Sequence, residues 1–468
     1  MLQGVTMRHN FQQGKRRRIY TVLAGALFFF VTAGLVPAHG QTPDAAQDPA
    51  TAGSPITLEE AIHRAEANEP GYAASSAESR SAALDRSIAR GGLLPGVVYH
   101  NQALYTQANG RQNQAGQGVG SQPSPRFIAN NAVREYASQA SINETLGLGQ
   151  WAGVRRADAE AARAAAELEI ARRGLVAAVT GMFYGSQAAQ RKLAVAERAH
   201  QEAADFTSLT GKREQAREAA HADVVKAQLQ EQQRERDLSD ARLAAEKARL
   251  ELGVLLFADP RTPYTLAAEE GAAALASRAE IDQAAAKNNP ELKSALAALN
   301  VTAADVLAAR AAYLPDLGLN VTYGIDAPQV AVNGPDQVHN LGYSASVTLD
   351  IPVWDWFTTQ HKVKQSEIRR DAARVALTAA QRRLIARLDE TYQEAAGARD
   401  QLASLDASVA TAAESLRLTK LRYTAGEATV LEVVDAQGAY VGAENAREDG
   451  RVRFQAARAD LQTLTGTM

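Results

Sequence analysis

Hydrophobic and polar positions in this chain change period twice, and the change comes in the same order in each half. From Ile56 a helical spacing of apolar residues, rich in alanine, runs to about Gly91 and is interrupted near Pro70. Thr57-Leu58-Glu59-Glu60 reads as its capped start, with Thr57 as N-cap. A counterpart begins near Arg278 and ends near Tyr313. After Leu94-Pro95, and again after Leu314-Pro315, the spacing switches to alternation. Leu317, Leu319, Val321, Tyr323 and Ile325 take one side; Gly318, Asn320, Thr322, Gly324 and Asp326 take the other. Leu341, Tyr343, Ala345, Val347, Leu349, Ile351 and Val353 alternate in the same way. Val97, Tyr99, Ala103 and Tyr105, then Tyr136, Ala140, Ile142, Leu146 and Leu148, do so less cleanly. Four strands with one apolar and one small-polar face are predicted. Two proline-free helical stretches follow, about 152–207 and 357–420. Each is succeeded by a short turn and a return helix, about 219–256 and 430–465. At the helical rise each long stretch would reach roughly 85–95 Å, more than an ordinary globular domain needs.

The two halves also share their punctuation. Asn68-Glu69-Pro70 returns as Asn288-Asn289-Pro290, and Asp223-Val224-Val225-Lys226-Ala227-Gln228 returns as Glu432-Val433-Val434-Asp435-Ala436-Gln437. Trp151 and Trp356 close the two hairpins, whose loops cover about 107–133 and 327–339. The expected organisation is one long unit used twice, a pseudo-twofold repeat over 56–275 and 276–468. A flexible leader over 41–55 precedes it.

Composition adds a compartment. Arg8 and the basic run Lys15 to Arg18 precede the mostly apolar 19–36, and Ala38-His39-Gly40 offers small residues for cleavage. This predicts an export signal over 1–40. A membrane anchor is the competing reading, disfavoured by Pro37 and the polar stretch behind it. No other segment is expected to cross a bilayer as a helix. The chain has no cysteine, so neither disulfides nor a lipid-accepting thiol can assist it. Without the signal's basic residues its net charge falls to about −8, the wrong sign for a nucleic-acid binder. The eight histidines are scattered, and no hydrolase, phosphate-loop or dinucleotide motif is present. No catalytic, metal or cofactor site is therefore expected.

Four strands cannot close a barrel, and left alone they expose two edges of unpaired N–H and C=O groups. Strands of this length with one apolar face suit an outer-membrane barrel, and a bilayer tolerates sheet only when it is closed. Several chains must then contribute four strands each. Two chains would enclose only side chains, whereas three leave room for a channel.

The order helix, Leu-Pro, hairpin, long helix, turn, return helix, given twice, resembles the TolC-like outer-membrane efflux proteins. Its most specific stretch is Leu421-Arg422-Tyr423-Thr424-Ala425-Gly426-Glu427-Ala428-Thr429-Val430-Leu431-Glu432-Val433-Val434-Asp435-Ala436-Gln437. Leu58-Glu59-Glu60-Ala61 and Tyr313-Leu314-Pro315-Asp316-Leu317 are also family-like. The resemblance implies a mainly α fold with a small β part. Antiparallel helical hairpins would form an α-barrel, and a homotrimer would supply a twelve-stranded transmembrane β-barrel. It further implies an outer-membrane duct extending into the periplasm and serving efflux or type I secretion. Its partners would be a periplasmic adaptor, an inner-membrane pump or exporter, and outer-membrane lipid. By the same resemblance Arg422, Tyr423 and Gly426 lie at the second helical tip, with Arg213 at the matching place in the first. Glu432 and Asp435 would narrow the entrance as stacked acidic rings whose crowding raises some of their pKa values. The first half carries Asp223 and Lys226 there, Arg217 replaces the tip glycine, and Ala428 replaces a basic residue that some members use to lock the entrance. The alternative is a periplasmic helical adaptor or scaffold without a membrane barrel, which would need no alternating strands.

Overall fold

The structure, a computed structural model, describes residues 55–105, 134–268, 275–327, 330–333 and 339–466. The expected export signal, nearly all of the leader, the whole first hairpin loop and much of the second lie outside these residues. Elements follow one order twice. Helices α1 (Leu58–Asn68) and α2 (Pro70–Gly91) lead to strands β1 (Gly96–Tyr105) and β2 (Arg134–Leu146), then to helices α3 (Leu148–Gln215) and α4 (His221–Leu256). The second pass is α5 (Arg278–Asn288), α6 (Pro290–Ala311), β3 (Asp316–Ala327), β4 (Leu341–Asp350), α7 (Thr358–Thr424) and α8 (Val430–Thr465).

The asparagine–proline punctuation is a break between two helices and a cap for the second. Proline at the first helical position loses no hydrogen bond, because that N–H would be an orphan anyway. Glu69 caps α2 by accepting from the N–H groups of Gly71 and Tyr72, and Asn289 caps α6 by accepting from Leu292 N–H at 2.8 Å. The same motif anchors the return helices. Asn68 donates to the Leu256 carbonyl (2.9 Å) and Asn289 to the Leu464 carbonyl (3.2 Å), satisfying acceptors that a helix end leaves over. In the first repeat two residues share these tasks; in the second Asn289 does both. Thr57 caps α1 as expected, accepting from Glu60 N–H at 3.2 Å.

The four strands form one antiparallel sheet in the order β1-β2-β3-β4. Its register aligns the alternation across all of them. Val97, Ile142, Val321 and Ala345 form one row, and Tyr99, Ala140, Tyr323 and Tyr343 the next on that face. The opposite face carries Gly96, Asn143, Asn320 and Ser346, then Val98, Ser141, Thr322 and Ser344. A Cβ on Gly324 would overlap the Ser138 carbonyl of the neighbouring strand, so only glycine permits that approach. Among the described residues strands β1 and β4 pair on one side only, and every residue of β4 is exposed.

Helices α3 and α7 have 68 and 67 residues, about 100 Å each. They exceed the expected 152–207 and 357–420, mainly because α3 runs through Gly149 and Gly211. A glycine costs a helix about 1 kcal/mol, which packing along its length absorbs. Helix α3 packs on α4, α6 and α8, and α7 packs on α6 and α8. One expectation needs correction. Within Arg278–Ala311 an 18-residue window with a mean hydropathy of 1.3 is apolar enough to pass as a membrane-spanning helix. The stretch is divided at Asn289-Pro290 into α5, of 11 residues, and α6, of 22.

The core is a series of small clusters. Ile56, Ala61, Ala65, Leu175, Val179, Phe183, Leu252 and Leu256 tie α1 to α3 and α4. Ile281, Ala285, Leu384, Leu388, Leu461 and Leu464 join α5 to α7 and α8 in the same manner. Phe206, Ala227, Tyr423, Val430 and Val433 form a third cluster at the far ends of the long helices.

Candidate functional site: the joined helical tips

Both long helices end in the same hydrogen-bond pattern. At the end of α7 the N–H of Gly426 donates to the Tyr423 carbonyl and that of Glu427 to the Arg422 carbonyl. At the end of α3 the N–H of Arg217 donates to the Glu214 carbonyl and that of Glu218 to the Arg213 carbonyl. This is the Schellman stop, which requires a left-handed residue just beyond the helix. Gly426 supplies it at φ 82°, and Arg217 adopts it at φ 65° despite its Cβ. The turn is thus imposed at both tips, with strain at the first. Replacing Arg217 with glycine is expected to stabilise the protein by about 0.5–1 kcal/mol. The unfolding midpoint of R217G should rise, while that of R217A, which keeps the Cβ, should not.

The tips are joined. Arg213 donates from Nη1 to the Tyr423 carbonyl at 2.6 Å, and its guanidinium lies 4.8 Å above the Tyr423 ring. It also faces Glu218 at 3.5 Å. Tyr423 is buried, its hydroxyl 3.2 Å from the Thr210 hydroxyl and its ring edge-on to Phe206 with 5.0 Å between centroids. Arg422 turns the other way, donating to the Glu427 carbonyl at 3.0 Å. Arg213, Tyr423 and Gly426 therefore meet, as residues of one clasp between two hairpins. Phe206 and Thr210 belong to it and were missed. The signal was present, since 206, 210 and 213 recur at helical spacing on one face.

Glu432 and Asp435 are both exposed on the first turns of α8, and Asp223 is half-buried in the first turn of α4. Glu432 also has a local task. It completes a capping box with Thr429, accepting from the Thr429 N–H at 2.6 Å and hydroxyl at 3.1 Å, and it faces Arg422 at 3.7 Å. These contacts act on the Glu432 carboxyl already within a single chain. Within one chain the Thr429 N–H and hydroxyl, and then Arg422, hold the Glu432 carboxyl below its ordinary value. A carboxyl depressed by folding contributes stability above its ordinary pKa and loses it as pH falls through the lowered value. E432Q should therefore melt below the parent protein at neutral pH, and the difference should vanish at strongly acidic pH. A pH series of unfolding midpoints checks this.

Farther from the tips, charged residues bind α3 to α8. Arg198 donates to Glu444 at 3.0 Å and Arg191 to Glu448 at 3.2 Å, and both carboxylates are buried. Among the described residues no group of three or more His, Asp or Glu could hold a metal ion.

The sheet of bilayer-length strands and the paired long hairpins resemble those of TolC-like outer-membrane proteins. Residues 281–467 match the family described as "Outer membrane efflux protein". Protein CyaE of Bordetella pertussis is 29% identical over 248 residues, 51% of this chain and 52% of that protein, so the matched stretch spans about half the relative's length. A membrane protein from Pseudomonas aeruginosa, known as a crystal structure, superposes with a TM-score of 0.72 at 21% identity, covering 87% of this chain and 93% of that one. The Campylobacter jejuni CmeC outer membrane channel has the same TM-score at 15% identity, covering 87% and 85%. The chain thus resembles the TolC-like outer-membrane efflux proteins in sequence and fold, and it is an outer-membrane protein.

Proposed function

We propose that both repeats together make this chain the outer-membrane exit duct of an efflux or type I secretion system. Three copies close twelve strands into a barrel, and their helical hairpins continue it as a tunnel into the periplasm. A periplasmic adaptor and an inner-membrane pump or exporter deliver substrates, which the duct conducts passively. The repeats are taken as 56–275 and 276–468, behind an export signal over 1–40 and a leader over 41–55. The open sheet carries this reading. Its apolar rows cross all four strands, yet β1 and β4 each leave a row of backbone groups that no bilayer could satisfy. A like chain supplies complementary edges, and three give the width a channel needs. Detergent-solubilised protein from the outer-membrane fraction should run as trimers in crosslinking and mass measurements; a monomer there would end the proposal.

In this reading the joined tips are the periplasmic entrance. Glu432, Asp435 and Asp223 line it, while Arg422, Tyr423, Gly426 and Arg213 shape the part that meets the adaptor. Rings of carboxylates favour cations. Replacing Glu432 by Gln together with Asp435 by Asn should reduce the cation-over-anion permeability ratio in planar bilayers by roughly half. An unaltered ratio would mean that these side chains point away from the pore.

A further inference from the structure

The doubled order of the chain lets the two return helices be compared residue by residue. At the spacing that relates Asp223 to Glu432, Leu252 of α4 corresponds to Leu461 of α8, and both are buried in matching clusters. Arg249 then corresponds to Arg458, and Glu246 to Gln455. The first arginine is fully engaged. Its Nη2 and Nε donate to the Glu246 carboxylate at 2.7 and 3.0 Å, and its Nη1 donates to the Thr262 carbonyl at 3.1 Å. Its guanidinium also lies 6.0 Å from the centre of the Tyr264 ring. Arg458 has an amide where Arg249 has a carboxylate. It donates to Gln455 Oε1 at a long 3.5 Å, and among the described residues no carboxylate pairs with it.

Arg458 lines a cavity of about 490 Å³ between α1, α3 and α8. Gln455 and Gln462 line it from the same face of α8, at helical spacing. Leu58 and Ile62 of α1 and Val176 of α3 supply apolar surface. Arg172 reaches it too, but that guanidinium already donates to Glu66 at 2.8 Å. Glu59 stands exposed in the first turn of α1, where the positive end of the helix offsets part of its charge. Apolar walls with a few polar groups, at this volume, are the usual make-up of a small-molecule site. The planar guanidinium fork matches a carboxylate, and what remains of the Glu59 charge disfavours a dianion.

We propose that this cavity binds a small amphiphilic carboxylate, with its charged end paired to Arg458 and its apolar body seated on Leu58, Ile62 and Val176. The ligand does for Arg458 what Glu246 does for Arg249. Every lining residue belongs to one chain, so the site depends on neither a closed barrel nor a conducting pore.

The test titrates 6-fluoro-2-naphthoate, and separately its uncharged carboxamide, into the full chain held in amphipol, with fluorine NMR reading the bound fraction. The naphthoate should bind about tenfold or more tightly than the carboxamide. Gln455→Glu gives Arg458 the carboxylate that Arg249 has, and so should weaken naphthoate binding by about tenfold. Arg458→Gln should weaken it to a similar degree by removing the charge itself. Carboxamide binding should be the same in all three proteins. Q455E adds an ion pair already present in the first repeat, so its unfolding midpoint should not fall, which separates lost binding from lost folding. Equal naphthoate affinity in the parent protein and R458Q overturns the site. So does a carboxamide that binds the parent as tightly as the naphthoate, or a parent protein that binds neither. None of these readings changes with the number of chains assembled, and a trimer that fails to conduct leaves the site standing.

Discussion

Phe183→Ala is expected to cost about 4 kcal/mol, the largest effect of any single truncation considered for this chain. The ring is fully buried, and its removal reaches three elements at once. It fills the space between Ala61 and Ala65 of α1 and Leu252 and Leu256 of α4, while Leu175 and Val179 precede it along α3. The neighbouring alanines cannot swing into the gap, so the cavity stays open and its lining loses contacts outright. Tyr184 loses an edge-to-face partner at 5.6 Å. A thin helical assembly has no second layer of core to take over. The unfolding midpoint of detergent-solubilised protein should fall sharply for F183A and only slightly for F183L. Leu243→Ala, at a well-exposed site on α4, should leave it almost unmoved. A small loss in F183A would mean that the α1–α3–α4 junction is not where the first repeat is held.

The second large effect is electrostatic. Glu448 is 1% exposed and accepts from Arg191 at 3.2 Å, Arg447 at 3.1 Å and Arg451 at 3.1 Å. Deleting its carboxylate leaves guanidinium groups facing each other with nothing between them. Removing one partner of a buried ion pair costs about 3–5 kcal/mol. The arginines here keep part of their surface in water, which puts Glu448→Ala at the low end, about 3 kcal/mol. Asp449, the next residue, pairs with Lys192 in the open and serves as the control. Asp449→Ala should change stability by no more than about 0.5 kcal/mol. Equal effects at the two positions would show that burial does not set the strength of these contacts. A double-mutant cycle on Arg191 and Glu448 measures the link between α3 and α8 directly.

These residues also mark how far the one-dimensional pattern reached. Glu444 and Glu448 sit among Arg447, Asp449 and Arg451 in a stretch that reads as a solvated helix face. Their burial depends on α3 crossing α8 at that level, and no local spacing encodes the crossing. Gly426 was legible as a helix stop because left-handed backbone has a preferred residue. Its partner Arg217 was legible only as a missing glycine. That the same turn forms there anyway is decided by the hydrogen bonds of the hairpin. Arg213 and Tyr423, 210 residues apart, were each placed at a tip by family resemblance. The cation–ring contact joining them follows only from packing the tips together.

By itself the sequence determined the elements, their doubled order and the two faces of the sheet. Side-chain direction repeats every two residues in a strand and every 3.6 in a helix, so the apolar pattern carries its own geometry. Tertiary structure alone decided which carboxylates are buried, which arginine closes the tips and where the backbone is forced into left-handed turns at Trp356 and Phe357. Those outcomes depend on contacts between segments far apart in the chain, and burial and strain exist only once such segments meet.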